Sequence, residues 1–298
     1  MTSSGSTVRE QEVTFYVALW KRAGISRDDF DDYWRDVHGP VCARLPGQHC
    51  YWQYHLGPVE GGFFPAIEGI DMICRGEDQF HGIAELTFRD PEQRQVWFKA
   101  SAILMDDEHN IFSKAIGYTT SPGNSRTLIE GQNPNNPNGP FPGIRYHVML
   151  QKKDGVSDSD FRGYLTTQVF PALSEIAAIS RLRYHLFDEL DLSRPDAQGV
   201  VHFEPKQTQY QAAFEIAFAN PMDRELALAS PAYARATADL GSYVSIMKPF
   251  PEWAAYTFVY DDAMTMAGMR GSSTAQLIEK LGATNQLRDD IRSLLVGS

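Results

Sequence analysis

The sequence predicts an α+β protein made of two copies of one unit, read as strand, helix, strand, loop, strand, helix, strand. Three observations carry this. Val13–Pro40, VTFYVALWKRAGISRDDFDDYWRDVHGP, lines up without a gap on Ile144–Pro171, IRYHVMLQKKDGVSDSDFRGYLTTQVFP, at a constant shift of 131 residues. Phe80–Pro91, FHGIAELTFRDP, matches Tyr210–Pro221, YQAAFEIAFANP, with Glu85 on Glu215 and Phe88 on Phe218. Between these blocks WQYHL, Trp52–Leu56, corresponds to LRYHL, which ends at Leu186 and sets Tyr184 beside Tyr54.

The first strand alternates. Val13, Phe15, Val17 and Leu19 form one apolar face, suited to packing against helices. Thr14, Tyr16, Ala18 and Trp20 form the other, and the second copy repeats the mixture with Arg145, His147, Met149 and Gln151. Such a face is either a pocket wall or a partly wet sheet surface. The helix that follows has Ser26 as its N-cap, Asp28 and Asp29 in its first turn, and HGP at its end. Phe30, Tyr33 and Trp34 share one of its faces, and His38 falls in its last turn or just beyond, where Gly39 permits a sharp exit.

On the third strand, periodicity sends Phe80, Gly82, Ala84, Leu86 and Phe88 toward the helices and His81 and Glu85 the other way. The join Gly131–Gly143, GQNPNNPNGPFPG, reads as a linker because its prolines and glycines continue neither helix nor ladder. The domains are thus 12–130 and 144–262, followed by an amphipathic helical tail over 263–298. Leu277, Ile278 and Leu281, then Leu287, Ile291 and Leu294, give that tail an apolar stripe. It could pack on a domain or reach a second subunit in a homodimer.

Composition narrows the function. A chain of 298 residues with 43% hydrophobic residues and no apolar run near membrane length reads as soluble and globular. The N-terminus has no apolar stretch of the signal-peptide kind, and three cysteines (Cys42, Cys50, Cys74) without a CxxC pair suit the cytoplasm. A net charge of −11 with no basic stripe argues against nucleic acid and anionic membranes as partners. No HExxH, acidic calcium loop, GxGxxG, Walker loop or GxSxG is present, so no metal or other cofactor is expected.

The string DDFDDYWRDVHGP, Asp28–Pro40, after a strand and a GIS turn, resembles the EthD family of the dimeric α/β-barrel superfamily. In the second copy the matching LTTQVFP, Leu165–Pro171, lacks the histidine. The resemblance implies two fused ferredoxin-like modules closing an intrachain barrel, and chemistry of the kind its cofactor-free relatives perform. These include methylmuconolactone isomerases, polyketide cyclases and olivetolic acid cyclase. The isomerase's histidine matches His38 and its second-strand tyrosine matches Tyr54, while its third-strand cysteine falls at Leu86. That last match would turn Leu86, not Glu85, into the pocket, against the periodicity. The cyclase's first-strand pocket positions coincide with Thr14, Tyr16 and Ala18, but its active histidine has no counterpart in Ser101–Phe112.

His38 is the leading acid–base candidate, since imidazole titrates near neutrality and its counterpart is Val169, so the fold does not need it. Tyr16 and Tyr54 are candidate donors to a developing oxyanion. Trp20, Tyr33, Trp34, His81, Glu85 and His147 are candidates for binding substrate, with Phe30 and Trp97 shaping the cavity. His49, His55, His109 and His202 are expected on surfaces or loops. The expected function is a cofactor-independent lyase, isomerase, cyclase or dehydratase acting on a small aromatic or polyketide-like molecule. The alternatives are a non-catalytic small-molecule binding protein and a cofactor-free monooxygenase.

Overall fold

The computed structural model describes residues 12–131, 136–191 and 197–296. The first module supplies β1 (Val13–Lys21), β2 (Cys50–Leu56), β3 (Gly82–Phe88) and β4 (Phe112–Thr119) in the spatial order β4-β1-β3-β2. β5 (Ser125–Ile129) follows, and the second module adds β6 (Asn138–Lys152), β7 (Ile179–Leu186), β8 (Ala212–Phe218) and β9 (Val244–Tyr260). Its order is β9-β6-β8-β7, the same ferredoxin-like pattern.

The two half-sheets join at both edges. β9 is long enough to serve two partners: its first part pairs with β6 and its second, Glu252–Val259, with β2. β4 and β5 divide the same task, β4 pairing with β1 and β5 with β7. The Asp188 amide donates to the Thr119 carbonyl at 2.8 Å and the Leu186 amide to that of Asn124 at 2.8 Å, closing the sheet into a barrel. A closed barrel leaves no open edge to template aggregation. The chain is therefore an α+β protein in which two ferredoxin-like modules form one intrachain α/β barrel.

Helices cover the outside. In the first module α1 (Arg27–Tyr33) is capped by Ser26, whose Oγ accepts from the Asp29 amide at 3.0 Å. It does not end at HGP. A π turn, Trp34–His38, carries it on into α2 (Gly39–Cys42), and the second module repeats this with Leu165–Val169 between α5 (Asp158–Tyr164) and α6 (Phe170–Ser174). The wider turn lets Pro40 sit at the start of a new helical segment, where its missing N–H costs nothing. Gly39 is thus helical rather than an exit; a Cβ there would lie 2.6 Å from the Phe258 ring. Packing, not a turn, requires this glycine.

The linker also departs from expectation. Asn138, Gly139 and Pro140 pair with Tyr256, Ala255 and Ala254 of β9, and the linker's ladder is interrupted between Pro140 and Arg145, where a proline is tolerated. Residues 132–135 of that join lie outside the described residues.

Three apolar cores result: one under the helices of each module, and one inside the barrel around Tyr16, Ala18, Trp20, Tyr54, Phe80 and Phe250. Loops cross between modules. The β2–β3 loop of the first brings Phe64 into the second module's core, and the β7–β8 loop of the second brings Ala197 and Val200 into the first. The tail helices α7 (Met266–Arg270) and α8 (Ser272–Lys280) pack on the first module through Ala267 and Ala275, leaving Leu277 and Leu281 exposed. Among the described residues no helix is long and apolar enough to cross a membrane.

Burial sets an acid limit. It pushes the His55 and His185 imidazoles below their ordinary range, and burial together with Arg27 and Lys21 brings His81 to about 4. A histidine kept neutral by the fold contributes stability that is complete above about pH 6.5 and lost as pH falls toward the depressed folded value. His81 is partly exposed, so solvent screening reduces its share relative to the two fully buried imidazoles. Thermal melts should therefore show Tm falling steadily between pH 6.5 and 4.5, and a flat profile there would contradict these assignments.

Candidate active site

The cavity that holds His38 lies between the first half-sheet and its helices, outside the barrel. Phe15, Val17 and Leu19 of β1 and Ala84 and Leu86 of β3 form its floor. Its roof comes from Trp34, His38 and Cys42 together with α3 (Pro91–Ala100) and α4 (Ala102–Glu108), which contribute Trp97, Leu104, Met105 and Glu108. The uniformly apolar strand face therefore lines the His38 cavity, while the mixed face turns to the barrel, where Arg145 borders a second cavity. This also resolves β3: Leu86 faces the cavity and Glu85 the barrel, so periodicity and resemblance agree once the pocket is placed on the helix side. Phe80, which precedes β3, departs from the pattern and stacks on Phe250 inside the barrel at 3.8 Å.

His38 is buried, and its Nδ1 lies 2.9 Å from Asp107 Oδ2. Tyr33 Oη donates to Asp107 Oδ1 at 2.7 Å and Asn110 Nδ2 to the same oxygen at 3.0 Å. The hydrogen bond to His38, helped by these two donors, holds the Asp107 carboxyl well below the usual carboxylate range against the effect of burial. An ionised carboxylate can only accept, so Nδ1 carries the proton and the lone pair of neutral His38 resides on Nε2. Burial and the neighbouring Asp107 push the Tyr33 phenol up to about 12, so it remains a neutral donor. Burial likewise takes Cys42 to about 12, which removes it as a thiolate nucleophile at neutral pH.

Tyr16, Tyr54, Glu85 and His147 are not in this cavity but inside the barrel. Tyr16 Oη lies 3.1 Å from His147 Nδ1, and His147 Nε2 lies 2.9 Å from Glu252 Oε2. Because Glu252 accepts, His147 Nδ1 is the nitrogen that receives the tyrosine proton. Tyr54 donates to Glu85 at 3.2 Å, and Arg183 bonds the same carboxylate at 2.9 Å. Burial, reinforced by the Glu85 charge, raises both tyrosines well above their ordinary range. Trp20 is also in the barrel, donating to the Glu77 carbonyl at 2.9 Å. His81 sits beside Phe30 and accepts from the Lys21 amide at 3.2 Å, away from both interiors. Of the expected binding residues, Trp34 lines the His38 cavity and Tyr33 reaches its dyad. Trp97 lines it too, while Phe30 packs behind Trp34 with ring centroids 5.8 Å apart.

The match of Tyr184 to Tyr54 is off by one residue. In the ladders Trp52 pairs with Glu85 and Arg183 with Glu215, which makes His185 the counterpart of Tyr54. A one-residue slip reverses a strand's faces, and Tyr184 accordingly lies on the helix side, stacked on Phe170 at 4.4 Å. His55 and His49 are buried rather than on the surface: His55 Nδ1 lies 2.7 Å from Asp31, and His49 Nδ1 lies 3.0 Å from Asp262.

A larger cavity of about 660 Å³ opens at the barrel mouth beside Trp52, Tyr54, Arg145, Arg181 and Glu215. Its charges are committed to one another: Arg181 bonds Glu215 at 2.8 Å and Arg145 approaches it at 3.2 Å. Burial raises the Glu215 carboxyl, but the two guanidiniums outweigh it and hold it at about 2. Such a locked network offers no base poised near neutrality. The sister of the His38 cavity, about 20 Å³ in the second module, is lined by apolar groups including Phe64, Val169, Leu173 and Leu240.

Residues 22–115 match the EthD domain family, so the first module is an EthD domain. No curated protein matches the chain significantly. Among solved structures, a proposed monooxygenase from Fusobacterium nucleatum is similar at 7% identity, with 86% of this chain and 96% of that one aligned and a TM-score of 0.50. A proposed monooxygenase from Lactobacillus acidophilus aligns over 86% and 99% at 9% identity, TM-score 0.48. An anthrone oxidase-like protein aligns over 83% and 93% at 8% identity, TM-score 0.48. At these identities the likeness concerns the fold.

Proposed function

We propose that this chain, an EthD-domain protein, is a cofactor-independent enzyme that relocates a proton on a small aromatic or polyketide-like molecule. Lyase, isomerase, cyclase and dehydratase steps all begin this way. The observation that carries the reading is the His38–Asp107 dyad, a histidine oriented by a carboxylate and set in an apolar cavity. That arrangement is how a neutral imidazole is made a directed base. Val169 stands in its place in the sister cavity.

The cavity holds only about 50 Å³, whereas a benzene-sized guest needs about 150 Å³. Substrate entry therefore requires α4 and the flexible Leu104 and Met105 side chains to move outward. The break between α3 and α4 at Ser101 is the place for that movement. Closure would then exclude water and seat the carbon acid against Nε2 of His38.

The test uses 2-tetralone, an aromatic ketone with an acidified methylene, in deuterated buffer. Protein-catalysed exchange of that methylene, followed by proton NMR and equal under air and argon, is expected. Binding without exchange would favour a carrier, and turnover that requires dissolved oxygen would favour a monooxygenase.

A further inference from the structure

We infer that His202, supplied by the second module, is a second acid–base group of the His38 cavity and completes it across the pseudo-twofold axis. This inference rests on the proton-transfer reading above and deepens it.

His202 and Glu108 both line the cavity, and His202 Nε2 lies 2.9 Å from Glu108 Oε2. α4 therefore presents two consecutive carboxylates, Asp107 and Glu108, each directed at a different histidine of one cavity. The second histidine is placed by the crossing β7–β8 loop. Val201 bridges Lys114 on the side of β4 away from β1, its amide donating to the Ser113 carbonyl at 3.0 Å and its carbonyl accepting from Ala115 at 2.9 Å. Val200 is buried in the first module's core, which fixes the loop on both sides of the bridge.

The sister module tests whether this is fold or function. Its crossing loop makes the equivalent bridge, Asp71 to Ile246, with the Met247 amide donating to Asp71 at 3.1 Å and the Asp71 amide to Ser245 at 2.8 Å. Counting from the two bridges, His202 corresponds to Met72 and Glu108 to Leu240. Met72 and Leu240 pack into the apolar core of the second module. So His38, His202 and Glu108 occur together in one cavity, whereas in the second module Val169 and Leu240 line the sister cavity and Met72 packs against its core. Bridge, loop crossing and π turn persist in both. A structural role would not account for the joint replacement, because the same backbone is built without these groups.

The two histidines divide the reaction. His38 takes a proton from carbon, the C–H electron pair moves onto the adjacent carbonyl, and His202, acting as the acid, gives a proton to the oxygen where charge builds. The C–H bond breaks and an O–H bond forms; reversal with solvent-exchanged protons completes the exchange.

The experiment measures 2-tetralone exchange from pH 5 to 9 for wild type, His38→Gln, His202→Gln and Glu108→Gln, with ligand affinity measured alongside. The expected result is that His202→Gln and Glu108→Gln each slow exchange at least about tenfold and remove the same limb of the pH profile, with affinity nearly unchanged. Wild-type exchange and pH profile in His202→Gln, with His38→Gln inactive, would overturn the inference and leave the base reading standing. Lower melting temperature with an unaltered pH profile would also overturn it, as the mark of a structural residue. No exchange by wild type above buffer would overturn the proposed function and this inference with it.

Discussion

Replacing His38 by Gln should lower catalysed exchange by about 10²–10⁴-fold, the usual worth of a positioned general base, while leaving the melting temperature close to that of wild type. The two halves of this expectation have separate grounds. The kinetic half follows from the dyad: Asp107 fixes the Nδ1–H tautomer, and glutamine offers no basic nitrogen in its place. The stability half follows from the sister module, where Val169 is buried at the corresponding point of an identical π turn. Asp107→Asn should reproduce part of the loss, about tenfold or more, because an amide can donate as well as accept and so releases the tautomer. Stopped reactions sampled by NMR and a melting curve on the same preparations decide both halves. Full activity in the His38→Gln protein would remove the residue from the mechanism.

How much of this could be read from the sequence depends on the range over which each feature is determined. Strand alternation, the Ser26 cap and the His38/Val169 contrast are local, and each survives folding as read. Which side of the sheet holds the cavity is not local. Phe15, Val17 and Leu19 would be equally apolar in a solid core, and only the placement of α3 and α4 leaves space above them. The mixed face owes its polarity to the barrel interior. Barrel closure buries Tyr16, Glu85 and His147 among hydrogen bonds and ion pairs, so much of the polarity there is paired within the interior. The Tyr54/Tyr184 match failed because a shared YHL string outweighed the ladder register, which no short string encodes. His202 lay beyond reach because it meets Glu108 through a loop crossing between modules. The adjacent acids Asp107 and Glu108 were the one available signal, and only knowledge of the pocket gives them meaning.

Substituting Glu252 by Ala should destabilise the protein by about 3 kcal/mol, toward the lower end of the range for stripping one partner from a buried ionic network. Its side chain is fully enclosed, 3.2 Å from Arg145 Nη1 and 2.9 Å from His147 Nε2. The residue sits where the β6 ladder is interrupted and β9 begins to pair with β2, opposite both Arg145 and Leu56. Alanine there would leave a buried guanidinium short of one acceptor and an imidazole without its own, and would free Tyr16 from the His147 tautomer it now donates to. Arg145 keeps Glu215 within 3.2 Å, which is why the cost should stay nearer 3 than 5 kcal/mol. Glu252→Gln, which retains an acceptor and the packing volume, should cost less than Ala. The pair Arg145→Met with Glu252→Leu should cost less than the sum of the two single changes, because it removes both charges together. Urea unfolding of the five variants (Glu252→Ala, Glu252→Gln, Arg145→Met, Glu252→Leu and the pair) measures each of these differences. A Glu252→Ala protein as stable as wild type would mean that the two half-sheets are held by backbone pairing and apolar packing alone.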